Sequence, residues 1–169
     1  FKGGCCTRSK IGLFRCYVLF IFVIMLITIV IPCHNAAAFV VRAIISCLRQ
    51  VGVVIEIIAV ENTSTDNTYA VLQTLAEKHT SKLKVVKEKK SGASAARNCG
   101  WRMGEGKYIQ FLDADDELLP GKLLRQLKLI SDLNGGIVTG TPVYENLLGD
   151  QEECELWENT WKGLAHGMH

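Results

Sequence analysis

The chain has 169 residues, 49% of them hydrophobic, which is enough apolar side chain for one packed domain and excludes a disordered tail. Nineteen Lys and Arg stand against 17 Asp and Glu, and a net charge of +2 offers no nucleic-acid footprint and no acidic tail. The seven Cys are an odd set without a Cys-x-x-Cys pair, which argues against a zinc ribbon and a disulfide framework and makes a reducing compartment the expectation.

Residues 16–32 are almost continuously apolar, but a helix crossing a bilayer needs about 20 such residues. Residues 26–31 (Leu-Ile-Thr-Ile-Val-Ile) are rich in β-branched side chains and run into Pro32, which predicts a buried first strand. What is left, residues 11–25 interrupted by Arg15, is too short to span. Met25 is read as the natural start and residues 1–24 as a leader outside the fold, with a signal anchor as the alternative for that segment.

Val41, Ile44, Ile45 and Leu48 recur at helical spacing and predict an amphipathic helix over residues 37–50, broken by Gly52. Residues 53–60 form a second apolar strand. It empties into Glu-Asn-Thr-Ser-Thr-Asp-Asn-Thr at 61–68, where Ser64 or Thr65 is the expected cap of a helix carrying Val71, Leu72 and Leu75. A shorter third strand covers 83–86, and Lys82, Lys84, Lys87, Lys89 and Lys90 around it read as a solvated sheet edge. Ser91-Gly92 opens a helix to about Met103, which Gly104 and Gly106 end.

The fourth strand, 108–112, is predicted buried and stops at four acids, Asp113, Asp115, Asp116 and Glu117. Pro120 starts a further helix with Leu123, Leu124, Leu127 and Ile130, and a fifth strand is expected at 137–140. Strands alternating with helices mean right-handed crossovers and a mostly parallel sheet, an α/β fold. Three polar loops, 32–35, 61–66 and 113–117, then meet at one sheet edge, where such folds bind ligands. The tail from Tyr144 is expected to hold a solvated acidic helix, with Trp157 and Trp161 sharing a face.

There is no Gly-x-Gly-x-x-Gly after the first strand, no Gly-Lys-Ser/Thr phosphate loop and no Gly-x-Ser-x-Gly elbow. Dinucleotide oxidoreductase, P-loop kinase and serine hydrolase readings therefore lack their machinery. His34, His79, His166 and His169 show no metal spacing. The acids at 113–117 still offer hard oxygens to a divalent cation, and a cation there can hold a diphosphate without a Gly-rich loop. Arg97 offers a planar cation.

Four segments in order, Ile-Pro-Cys-His-Asn at 31–35, Val-Glu-Asn-Thr-Ser-Thr-Asp-Asn-Thr at 60–68, Gly-Ala-Ser-Ala-Ala-Arg-Asn-Cys-Gly at 92–100 and Tyr-Ile-Gln-Phe-Leu-Asp-Ala-Asp-Asp at 108–116, resemble the family 2 glycosyltransferases of GT-A fold. The resemblance covers about 25–140. It implies a Rossmann-like sheet with helices on both faces at 25–145, and a divergent tail at 146–169 belonging to a truncated acceptor half.

The resemblance also implies roles. Pro32, His34 and Asn35 would line the donor pocket, His34 standing where the family has a stacking Tyr. Glu61 and Asn62 stand where a pair of Asp binds the uracil ring, Asn62 accepting through its amide oxygen. Arg97 matches a donor-binding Arg, Asp113 the acid near ribose and metal, and Asp115 the direct ligand of Mn²⁺ or Mg²⁺. Asp116 is read as the cap of the next helix. The implied reaction is inverting transfer from a nucleotide sugar, UDP-linked, to a glycan or lipid-linked acceptor, in the cytoplasm with peripheral association at the inner membrane face. The catalytic base is unassigned. A non-catalytic nucleotide-sugar-binding fragment and a metal-dependent nucleotidyltransferase are the alternatives.

Overall fold

The computed structural model describes residues 26–132, 137–138, 143–145 and 151–153. The proposed leader, the Trp157/Trp161 face and most of the acidic tail lie outside them. The first compact unit runs to Leu124 and holds four parallel strands in the order β3-β2-β1-β4. They are β1 (Leu26–Cys33), β2 (Val54–Glu61), β3 (Leu83–Lys87) and β4 (Tyr108–Phe111), separated by helices α1 (Val40–Leu48), α2 (Thr68–Lys78) and α3 (Ala93–Met103). Beta-branched and apolar residues fill β1 and β2 because both faces of a central parallel strand are covered; Ile29, Val30, Ile31, Ile57, Ile58 and Val60 are fully buried.

The order of the strands decides which helix covers which face. The crossovers β1-α1-β2 and β2-α2-β3 step one way along the sheet, so right-handedness puts α1 and α2 on the same face. The crossover β3-α3-β4 steps back past β2 and β1, so α3 lies on the other. There Ala96 of α3 packs with Val30, Ile58 and Val60, and Cys99, Val86 and Ile109 border the cluster. Gly100 lets α3 close on the Val30 side chain. The chain reverses its winding between β1 and β4, and the crevice at such a switch point, outside the carboxyl strand ends, is where open α/β sheets hold ligands.

Several expectations shift. The cap position of α2 is Asn67, not Ser64 or Thr65, and it makes no side-chain cap bond; one residue earlier, Asp66 Oδ1 accepts from the Thr68 main-chain N–H at 2.9 Å and from Thr68 Oγ1. β4 is an edge strand of the described sheet, partly exposed where full burial is predicted, with Phe111 46% exposed; it pairs only with β1 among the described residues. Helix α4 spans Lys122–Asp132, six residues beyond Asp116, so Asp116 is not its cap.

A second unit begins at Arg125, within α4. Ile137 and Val138 are not in a strand, and Ile137 is 93% exposed. The next strands are instead a separate antiparallel pair, β5 (Val143–Glu145) and β6 (Gln151–Glu153). Glu152 and Glu153 therefore belong to a strand where the composition suggests a helix: pairing with 143–145 supplies the main-chain partners that a helix would have supplied internally. No helix among the described residues is long and apolar enough to cross a membrane.

Candidate functional site

The carboxyl ends of β1, β2 and β4 and the start of α3 surround a cleft of about 440 Å³. Its walls include Pro32, His34, Asn35, Asn62, Arg97, Asp113 and Asp115, so the sheet brings together seven of the eight residues singled out from the sequence. Glu61 is the exception. It is 8% exposed and its Oε1 accepts from the Ser64 main-chain N–H at 2.6 Å, closing the turn after β2 instead of facing the cleft. Phe39, ahead of α1, and the Ser91–Gly92 turn ahead of α3 also form walls. Ser91-Gly92 was legible as a helix start but not as a wall, because only the returning crossover carries α3 to this edge.

The loops are tied to one another before any ligand is considered. Asn35, at φ 49°, donates its main-chain N–H to Ser64 Oγ at 3.2 Å, while its Oδ1 accepts from the Thr65 main-chain N–H at 2.8 Å. Asp66 Oδ2 accepts from the Ala37 N–H at 3.1 Å, and Thr68 Oγ1 accepts from the Ala36 N–H at 2.8 Å. Hydrogen bonds from Thr68 first, and then from the main chain of Thr68 and Ala37, hold the Asp66 carboxyl below its ordinary pKa. The side chain of Asn35 thus builds the rim where the resemblance has it bind the donor.

Charge is distributed unevenly along the acidic edge. Arg97 Nη2 donates to Asp113 Oδ1 at 2.5 Å. Asp115 has no hydrogen-bond or ion-pair partner among the described residues. Lost hydration at the Asp116 carboxyl, and then the charges of Asp115 and Asp113, raise its pKa above the ordinary range. Glu117 turns away to Arg42 at 3.5 Å. Among the described residues no three acidic, His or Cys side chains form a ready-made metal nest. Two hard carboxylates on one cleft fit a cation whose other ligands are ligand oxygens and water, the pattern of Mg²⁺ and Mn²⁺ with diphosphates. Cys33, at the cleft floor, is fully buried, and burial followed by the Glu61 charge pushes its thiol up to about 12, so it offers no thiolate.

A parallel α/β sheet with a cleft, an arginine and two hard carboxylates at its switch point is the arrangement in which open α/β folds hold ligands. The family model "Glycosyl transferase family 2" matches residues 28–161, and the chain belongs to that family. Among curated relatives, an uncharacterized glycosyltransferase of Haemophilus influenzae is 32% identical over 126 residues, which are 75% of this chain and 50% of that protein. The succinoglycan biosynthesis protein ExoO of Rhizobium meliloti is 32% identical over 60% of this chain and 29% of its own length. The chain thus spans half or less of these relatives. Among solved structures, Staphylococcus aureus TarS 1-349 in complex with UDP superposes with a TM-score of 0.55 at 20% identity, over 76% of this chain and 43% of that one. The mannosyltransferase PcManGT of Pyrobaculum calidifontis, in complex with GDP-Man and Mn²⁺, does so at 0.58 and 25%, over 63% and 32%. The fold is that of the GT-A glycosyltransferases.

Proposed function

We propose that this cleft is the donor site of a glycosyltransferase that uses a nucleotide sugar, UDP-linked, with Mn²⁺ or Mg²⁺, and transfers the sugar with inversion to a glycan or lipid-linked acceptor. The observation that carries the reading is the meeting of the partnerless Asp115 with the Arg97–Asp113 pair at the switch point. Asp115, with Asp113, would hold the cation; bound there, a divalent ion supplies positive charge to the leaving diphosphate. Arg97 orients diphosphate or nucleoside oxygens, and the loop at 32–35 and the Ser91–Gly92 turn enclose the nucleoside and keep water from it. The printed ligands of the two solved neighbours, UDP in one and GDP-Man with Mn²⁺ in the other, support this class of donor. Inversion requires a carboxylate base for the acceptor hydroxyl, and none of the residues placed in the cleft is assigned that task.

The test is a titration of UDP with and without Mn²⁺ into the parent chain and Asp115→Asn. Metal-dependent binding in the parent, weakened at least tenfold in the variant, is the expected outcome. Equal binding by both, or none by a folded parent, refutes the donor site. UDP release from a UDP-sugar then separates transfer from binding alone, with slow hydrolysis at most expected from this chain.

A further inference from the structure

Asn62 is 3% exposed, and each of its four hydrogen-bonding groups has a protein partner. Its main-chain N–H donates to Cys33 O at 2.8 Å and its main-chain O meets His34 Nδ1 at 2.8 Å. Its Nδ2 donates to Glu88 O at 2.9 Å and Lys90 O at 2.8 Å, and its Oδ1 accepts from the Gly92 N–H at 2.8 Å. Two carbonyls facing one end of the amide and an N–H facing the other allow a single orientation. An aspartate here would set a carboxylate against both carbonyls. Residue 62 therefore ties together the loops after β1 and β3 and is a positioning residue.

The same residue decides the state of its neighbour. A carbonyl only accepts, so Nδ1 of His34 carries the ring proton, and in the neutral ring Nε2 is left as a bare acceptor. Nε2 has no protein partner among the described residues, and His34 lines the cleft. Resting on the reading of this cleft as a nucleotide site, we propose that His34, locked in the Nδ1–H tautomer by Asn62, is the base-selecting residue. Its Nε2 accepts from a base whose ring nitrogen bears hydrogen, as in uracil or guanine. It opposes bases whose matching ring nitrogen carries a lone pair, as in cytosine or adenine. Selection passes to His34 because Asn62 is consumed by the scaffold.

The experiment titrates UDP and CDP, each with Mn²⁺ at pH 8, into the parent, His34→Phe and His34→Gln, with thermal melts to confirm folding. The parent is expected to bind UDP about tenfold more tightly than CDP, the worth of one hydrogen bond made or opposed. His34→Phe, which keeps a ring without an acceptor, brings the two within about twofold, and His34→Gln, with an amide oxygen, restores part of the preference. A ratio that His34→Phe leaves unchanged, or equal binding by the parent, overturns the proposal while leaving the nucleotide site standing. Failure of the folded parent to bind either nucleotide refutes the donor site itself, and the proposal with it. Two measurements on the parent need neither variant nor ligand. Nitrogen-15 shifts of the imidazole should report Nδ1–H, and the Asn62 NH₂ protons should exchange with water at least tenfold more slowly than those of exposed Asn67. An Nε2–H tautomer overturns the lock made by the Asn62 main-chain carbonyl, and a freely exchanging Asn62 amide overturns the scaffold role that passes selection to His34.

Discussion

Arg97 Nη2 lies 2.5 Å from Asp113 Oδ1, so the cation of α3 and the first acid after β4 form one charge-paired unit across the switch point. The consequence is a division between neighbours two residues apart. Asp113 is oriented by the protein, and Asp115 is left with its lone pairs free for a ligand.

That pair predicts a separation of binding from stability at Arg97. The two side chains are 34% and 52% exposed, and exposed ion pairs contribute about 0–1 kcal/mol. Arg97→Ala should lower Tm by no more than a few degrees while weakening Mn²⁺-dependent UDP binding about tenfold; Arg97→Lys, lacking the planar fork, should fall between. Calorimetry and thermal melts check this, and a collapse of Tm in Arg97→Ala would mark the pair as scaffold.

Stability should depend on Glu56, at the opposite edge of the sheet. Its Oε1 accepts from Thr28 Oγ1 at 2.6 Å and from the Glu105 and Gly106 N–H groups at 2.5 and 3.1 Å, and its Oε2 from Lys84 Nζ at 3.3 Å. Burial alone raises the pKa of this carboxyl, but the bonds from Thr28, Glu105 and Lys84 outweigh it, and the net shift is downward. A folded pKa below the unfolded one gives stability that is full above the unfolded value, about 4.3, and is lost as pH falls through the folded value. Glu56→Gln should cost about 1–3 kcal/mol at pH 7, and less as the pH drops toward 3. Urea midpoints at both pH values measure the gap, which must narrow in acid.

Thr63 has φ 57° in the turn after β2, a left-handed conformation that a β-branched residue adopts at a cost. The position is exposed, so little packing opposes a change. Relief of about 1–2 kcal/mol, set against the greater unfolded-state freedom of glycine, makes Thr63→Gly stabilising by up to about 1 kcal/mol. Chemical denaturation gives the sign directly, and a destabilised variant refutes the argument.

Gly106 is required for space. A Cβ there would lie 2.5 Å from the Thr28 main-chain N and 2.9 Å from the Leu26 main-chain O, contacts that no side-chain rotation relieves. It would also displace the Gly106 N–H from Thr28 Oγ1, now 2.9 Å away. Gly106→Ala should cost about 3 kcal/mol or more, from overpacking and a disrupted, partly buried hydrogen bond together. A melt within a degree or two of the parent would contradict this.

By itself the sequence determined the alternation of strands and helices, because short continuous apolar runs mark strands of a covered parallel sheet and an apolar period of 3.6 marks the helices packed on it. It also placed the polar loops at 32–35, 61–66 and 113–117 together, since polar residues that end an apolar strand lie at the sheet edge, whereas Arg97, inside α3, was singled out through the family resemblance. The division of labour among them came from tertiary structure. Glu61 and Asn62 are adjacent, polar and buried, yet both serve the scaffold, because their partners at Ser64, Glu88, Lys90 and Gly92 depend on how the β2–α2 turn closes and on where the returning crossover sets α3. Local pattern carries no information about β4 lying at the edge of the described sheet or about 151–153 pairing with 143–145. Composition names the polar groups available; the crossings of the chain decide which the protein consumes and which, like Asp115 and His34 Nε2, are left for a ligand.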